Sequence, residues 1–201
     1  MKHCVLLFFL ALVSCKQEPI KVMTISNDET LNLRYEVLND LINSDEQYSD
    51  PENCCIYNIA PENAFFHIEN EESDESPLGI NLMYNNDFPV VDSALFNIEN
   101  KDLANFKLNK TRISKNLTFI NQEELDKIKK PDADFWTVFR EKYPNKCIRN
   151  ISVPFFSKDR STCIIKVSTS CGSLDGSGYT GVYQKINGRW IEIKTFNNWI
   201  S

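Results

Sequence analysis

Apolar and polar residues alternate most regularly over Ile151–Ser201. Four runs stand out: I-S-V-P-F-F-S from Ile151, S-T-C-I-I-K-V-S-T-S-C from Ser161, G-Y-T-G-V-Y-Q-K-I from Gly178 and R-W-I-E-I-K-T-F from Arg189. A period of two broken by turn residues predicts antiparallel strands, here a β-meander. Asn187-Gly188 between two such runs predicts a two-residue type I′ hairpin turn. In that register Val182, Ile186, Ile191 and Ile193 share one face with Gln184 and Arg189. The other face carries Tyr179, Tyr183, Trp190 and Phe196 beside Glu192 and Lys194. Five of the six glycines, Gly172, Gly176, Gly178, Gly181 and Gly188, fall in this stretch, as expected where strands reverse.

A period of 3.6 appears upstream. Ser26 and Glu29 form a capping pair, and Leu31, Tyr35, Leu38, Leu41 and Ile42 follow at helical spacing, predicting a helix over 27–43. Asn121 and Glu124 open a second helix that Pro131 stops. A third, over 133–143, carries Phe135, Trp136, Phe139 and Tyr143 on one stripe, expected to pack beneath the meander. Between them, Cys54–Ala60, Ala64–Ile68, Ile80–Tyr84, Pro89–Ile98 and Phe106–Ile120 are candidate strands. The expected fold is α+β, a C-terminal antiparallel meander packed by about three helices, with an irregular acidic segment at about 45–100.

The first residues change the picture. Lys2 and His3 precede an apolar run, Val5–Val13, too short to span a bilayer, and Ser14 precedes Cys15. Residues 1–14 therefore read as a cleaved signal. Leu12-Val13-Ser14-Cys15 matches the lipobox, in which the cysteine is acylated and becomes the new N-terminus. Residues 15–24 would be a lipidated tether and 25–201 a single domain. Attached acyl chains bind a bilayer at about 0.8 kcal/mol per buried CH₂, so the membrane is the first expected partner. With no Asp after Cys15, attachment to the outer membrane is expected.

Charge is unevenly spread. Between Arg34 and Lys101 there is no Lys or Arg, while residues 35–100 hold fifteen Asp and Glu; residues 101–201 hold eighteen Lys and Arg against ten acids. Such asymmetry bears on partners rather than fold. Either the halves neutralise one another, or the basic half meets a polyanion such as an acidic glycan or lipid phosphate. Nucleic acid is not expected. Glu69, Glu71, Glu72, Asp74 and Glu75 form a weak Ca²⁺ candidate, but without the D-x-D-x-D-G spacing of a turned loop they read first as a solvated loop. The glycines after Cys171 lack the Lys and Ser/Thr of a phosphate cradle and read as a wide hairpin connection. No cofactor is expected.

With Cys4 cleaved and Cys15 acylated, Cys54, Cys55, Cys147, Cys163 and Cys171 remain. In an exported chain disulfides persist. Cys54 and Cys55, as chain neighbours, should not bridge each other. Cys163 alternates with Ile165 and Val167 and reads as a buried thiol. Cys171, beside the loop, is expected to bridge Cys54 or Cys55. His67 is the one histidine left beyond the signal, which discourages most zinc and triad mechanisms.

Ser152, Pro154, Phe156-Ser157, Asp159, Cys171-Gly172-x-Leu174-x-Gly176-x-Gly178, Lys185, Gly188, Trp190 and Trp199-Ile200-Ser201 carry a resemblance. With upstream Trp136, Phe139 and Tyr143-Pro144, they resemble the C-terminal part of a family of uncharacterised bacterial envelope lipoproteins. Cys163 stands where that family has a small apolar residue, and Asp175 where a second cysteine often follows Leu174. The family implies no activity. Tyr183-x-Lys185-x-x-Gly188-x-Trp190 also resembles NTF2-like and cystatin-like sheets. The expectation is a lipid-anchored binding or accessory module of the envelope, with Tyr179, Tyr183 and Trp190 as the candidate binding face. An envelope hydrolase using Cys or paired carboxylates, and an inhibitor of a secreted enzyme, are the competing classes.

Overall fold

The computed structural model describes residues 28–45, 54–61, 99 and 101–201. The expected signal and lipobox, Ser26, His67, the acidic cluster Glu69–Glu75 and the candidate strands at 64–68, 80–84 and 89–98 lie outside the described residues. The fold is α+β, a six-stranded mixed sheet with helices.

The chain enters α1 (Glu29–Ser44), capped by Asp28, whose carboxylate accepts the Leu31 N–H. β1 (Cys55–Ala60) follows, and residues 101–104 are helical. Next come a 3₁₀ turn (Lys110–Arg112), α2 (Gln122–Ile128) and α3 (Phe135–Lys142). The expected capping box of α2 is present, with Asn121 and Glu124 each accepting the other's backbone N–H. The remainder is sheet: β2 (Cys147–Ser152), β3 (Phe155–Phe156), β4 (Thr162–Gly172), β5 (Asp175–Ile186) and β6 (Arg189–Ile200).

The strand order is β1-β2-β4-β5-β6, with β3 also paired to β4. The β4–β5–β6 run is the expected antiparallel meander, whereas β1 pairs with β2 in parallel, Cys55 opposite Cys147 and Ile59 opposite Ile151. The Asn187-Gly188 turn has both residues at positive φ (51° and 80°), and Lys185 faces Trp190 as expected.

Three expectations about the meander are corrected. The connection after Cys171 is a two-residue turn rather than a wide loop, since Gly172 already pairs with Asp175. A bulge in β6 leaves Ile193 unpaired, so Lys194 faces Val182 and Phe196 faces Thr180. One extra residue moves the following side chains to the opposite face, away from Tyr183 and Trp190. The strand glycines serve close contact rather than reversal. A Cβ at Gly178 would sit 2.6 Å from the Trp199 indole, and one at Gly181 would sit 2.7 Å from the Tyr183 ring.

The sheet's two faces are covered by different helices. Tyr57, Ile59, Ile151, Cys163, Val167, Tyr183 and Trp190 belong to one buried cluster with Val37, Leu38, Leu41 and Ile42 of α1. Ile56 and Ile148, pointing the other way, pack with Ile120, Leu125, Ile128 and Phe139, beside Phe135, Trp136 and Tyr143. The aromatic stripe of α3 therefore covers β1 and β2 and not Trp190. Trp190 instead packs on Phe156, ring centroids 5.6 Å apart, while its backbone N–H donates to Asp40 of α1.

Residues 106–120, expected to form a strand, pair with the sheet's backbone through one bridge, Tyr57 to Phe119. Their backbone is held by α1 instead. Asn39 donates to the Arg112 carbonyl and accepts the Ser114 N–H, and the Tyr35 hydroxyl accepts the Asn109 N–H. The Arg112 guanidinium lies 4.0 Å from the Tyr35 ring centroid.

A buried ion pair joins Arg34 of α1 to Glu99 at 2.9 Å. Burial pushes the Glu99 carboxyl up, against the Arg34 charge and the Phe156 N–H that hold it down. A raised carboxyl pKa binds protons more readily in the folded state, so this group withdraws stability as pH rises from the unfolded towards the folded value. Arg34→Met should cost roughly 3–5 kcal/mol near neutral pH by stranding the carboxylate. That loss should shrink on acidification, as Glu99 becomes neutral; a pH-independent loss in denaturant titrations would contradict it. Trp190→Ala should cost roughly 3–5 kcal/mol, and an unchanged denaturation midpoint would place the indole outside the core.

Candidate functional site

Sulfur chemistry gathers at one corner of the sheet, where β1, β2 and β4 run side by side. Cys147 opens β2, and the antiparallel register that sets Ile148 opposite Ser170 brings it to Cys171 at the end of β4. The two are bridged, with Cα atoms 4.3 Å apart. The expected bridge from Cys171 to Cys54 or Cys55 is thus corrected. Cys171 has its partner on the adjacent strand, and β1 lies one strand further away. Arg140 of α3 donates to the Cys171 carbonyl at 2.9 Å, tying the helix to this corner.

Cys54 and Cys55 remain thiols, as does Cys163, which is fully buried as expected. Burial pushes the Cys163 thiol well up, which keeps it protonated and inert. The Cys54 carbonyl accepts the Cys147 N–H at 2.7 Å, and the Cys54 and Cys55 sulfurs approach to 3.7 Å. Cys55 is buried and Cys54 half-buried. Burial, then the neighbouring Cys54, pushes the Cys55 thiol up to about 12.

Beside the thiols, Arg149 of β2 pairs with Asp45 at 3.1 Å, just past the end of α1, and donates to the Thr169 hydroxyl. Tyr57, opposite Arg149 in the register, has its hydroxyl buried without a hydrogen bond, and burial raises its pKa. Further along the face the Tyr183 hydroxyl donates to Glu192 at 2.9 Å and lies 3.3 Å from that of Tyr179. Burial raises Tyr183 strongly. These groups are held protonated, suited to hydrogen bonding within a core rather than to proton transfer near neutral pH.

Of the expected binding face, Tyr183 and Trp190 are closed off and Tyr179 is half-buried. Tyr183 and Trp190 are 4% and 5% exposed and lie in the α1-facing core. The large apolar residues that reach solvent lie elsewhere, among them Ile191 and Ile193 of β6, Trp199, Ile200 and Leu174. An open depression between α2 and α3 is lined by Glu124, Lys127, Ile128, Val138, Glu141 and Lys142 and gathers no convergent chemistry.

The charge halves do meet. Glu36 and Asp45 from the acidic stretch pair with Lys185 and Arg149 from the basic one. At the far end of the sheet the β3–β4 and β5–β6 turns adjoin, the Lys185 N–H donating to the Ser161 carbonyl. Lys158, Arg160 and Arg189 are exposed there.

Among the described residues no helix is long and apolar enough to cross a membrane. No family model, curated protein or solved structure matches the chain.

The Cys147–Cys171 bridge closes a loop of sequence separation 24. On chain-entropy grounds its loss through Cys147→Ser should cost about 3 kcal/mol. Peptide mapping without reductant should recover Cys147 and Cys171 in one cross-linked species; recovery of Cys171 joined to Cys54 or Cys55 would contradict the register.

Proposed function

We propose that this chain is an exported, lipid-anchored accessory protein of a bacterial envelope that binds a polyanionic surface, such as acidic glycan or lipid phosphate. The observation that carries export is the Cys147–Cys171 bridge, since disulfides of this kind persist in oxidising compartments. Leu12-Val13-Ser14-Cys15 supports the anchor, and the missing Asp after Cys15 supports outer-membrane attachment. A long helix laid across one face of an antiparallel run supports an NTF2-like or cystatin-like arrangement, a scaffold compatible with binding.

Polyanion binding rests on the basic half of the chain, and most concretely on the end of the sheet where Lys158, Arg160 and Arg189 are exposed. Arg160 lies 3.9 Å from Glu29, an exposed pair that contributes little. Such a surface binds through multiple weak, salt-screened contacts.

Two measurements test the reading. Cys15→Ser should move the protein from the membrane fraction to the soluble fraction, and continued membrane retention would refute the anchor. A Lys158→Glu, Arg189→Glu double variant should elute from an acidic polysaccharide matrix at clearly lower salt than the parent. Equal elution would refute this end of the sheet as the binding surface.

A further inference from the structure

The two ends of the sheet lie at different distances from the expected anchor. α1 begins at the end where the β3–β4 and β5–β6 turns adjoin, since Glu29 in its first turn lies 3.9 Å from Arg160. Residues 15–27 join the expected lipidation cysteine to Asp28, the cap of α1, and thirteen residues reach at most about 45 Å when fully extended. The 12 residues of β5 run roughly 37 Å from one end of the sheet to the other. An anchor at Cys15 therefore keeps the two-turn end near the bilayer. Bringing the opposite end down would use nearly the whole reach of the tether.

The tip of the β5–β6 hairpin stands clear at that end. A Cβ on Gly188 would meet nothing within 4 Å. Lys185 and Trp190 turn towards α1, so alternation places Ile186, Arg189 and Ile191 on the other face of the hairpin. Ile186 and Ile191 are 38% and 46% exposed, with Arg189 directly opposite Ile186. Apolar side chains beside a cation on a projecting tip match the boundary of a bilayer, where acyl chains lie beneath a layer of phosphates.

The charges of this end are arranged to the same effect. Lys158 and Arg160 are exposed on the β3–β4 turn, beside Arg189. The acids here are engaged by neighbours. Asp159 accepts from the Ser157 and Ser161 hydroxyls and from the Ser161 N–H within its own turn, and Asp28 caps α1. Glu36 holds Lys185 at 2.7 Å, and Glu29 faces Arg160.

We propose that this end of the sheet, led by the β5–β6 hairpin, docks on the anionic lipid surface of the bilayer that holds the anchor. The proposal rests on the anchored reading above and selects lipid phosphate, rather than glycan, as the anion met. Ile186 and Ile191 enter the boundary between headgroups and acyl chains, while Lys158, Arg160 and Arg189 meet phosphates. Each cation near an anionic surface contributes about fivefold to partitioning at low salt. The opposite end, where Leu174 and Ile200 are 86% and 89% exposed near Asp175, then points away from the bilayer.

The test uses the acylated full chain reconstituted in phosphatidylcholine vesicles, with and without phosphatidylglycerol. Brief acetylation by a water-soluble reagent, read by peptide mass, reports the exposure of each lysine. With phosphatidylglycerol present, Lys158 should react at least fivefold more slowly, while Lys127 of α2, 69% exposed, keeps its rate. High salt should restore Lys158. An Ile186→Asp, Arg189→Glu variant should float with the vesicles as the parent does and lose most of that protection. Equal Lys158 rates in both vesicles, equal slowing of Lys127, or protection kept by the variant would each overturn the docking. Slowing by a soluble acidic polysaccharide and not by phosphatidylglycerol would assign this end to glycan and overturn it too. A chain that floats with neither vesicle refutes the anchor, and the docking falls with it.

Discussion

The structure depends on α1 lying across one face of the sheet. Without it, Tyr57, Ile151, Val167, Tyr183 and Trp190 would present a continuous apolar surface to water, and a few strands cannot hide both their faces. The helix makes that contact specific with polar groups at its borders. Asp40 accepts the Trp190 N–H, Glu36 meets Lys185, and Arg34 holds Glu99. Its C-terminal neighbour Asp45 meets Arg149. Each of these fixes the position of the helix along the strands where burial alone would let it slide.

The opposite face is divided. Over β1 and β2, α2 and α3 supply a small aromatic core built on Ile56 and Ile148. At the outer strand, Ile191 and Ile193 of β6 are exposed, and two irregularities interrupt its pairing with β5. Bulges of this kind twist an edge and discourage further strand pairing. The molecule thus has a closed end, where cysteines and Arg149 sit, and a charged end, where two turns meet.

Several features were legible in the chain itself because they depend on neighbours in sequence. The Asn187-Gly188 turn needs only two residues that tolerate positive φ. The α2 capping box needs only Asn121 and Glu124, three residues apart. The burial of Cys163 follows from alternation with Ile165 and Val167. Other features were hidden because they are set by distant parts. Cys147 could not be matched to Cys171 until β2 was placed beside β4, since connectivity is a property of strand order. Residues 106–120 carry strand-like alternation, yet Asn39 and Tyr35 of α1 claim their backbone.

By itself, then, the sequence determined local geometry and the alternation that makes a C-terminal meander, because turns, caps and periodicity act over a few residues. It also carries Leu12-Val13-Ser14-Cys15, the linear motif on which the proposed anchor rests. Tertiary structure alone decided which helix covers which face, that β1 joins in parallel, that the bulge at Ile193 moves Phe196 to the other side, and that two neighbouring thiols converge beside a bridge. These depend on register and on which surfaces meet across the fold. A one-residue shift in pairing reverses every side chain that follows it, and nothing local in the chain records that shift.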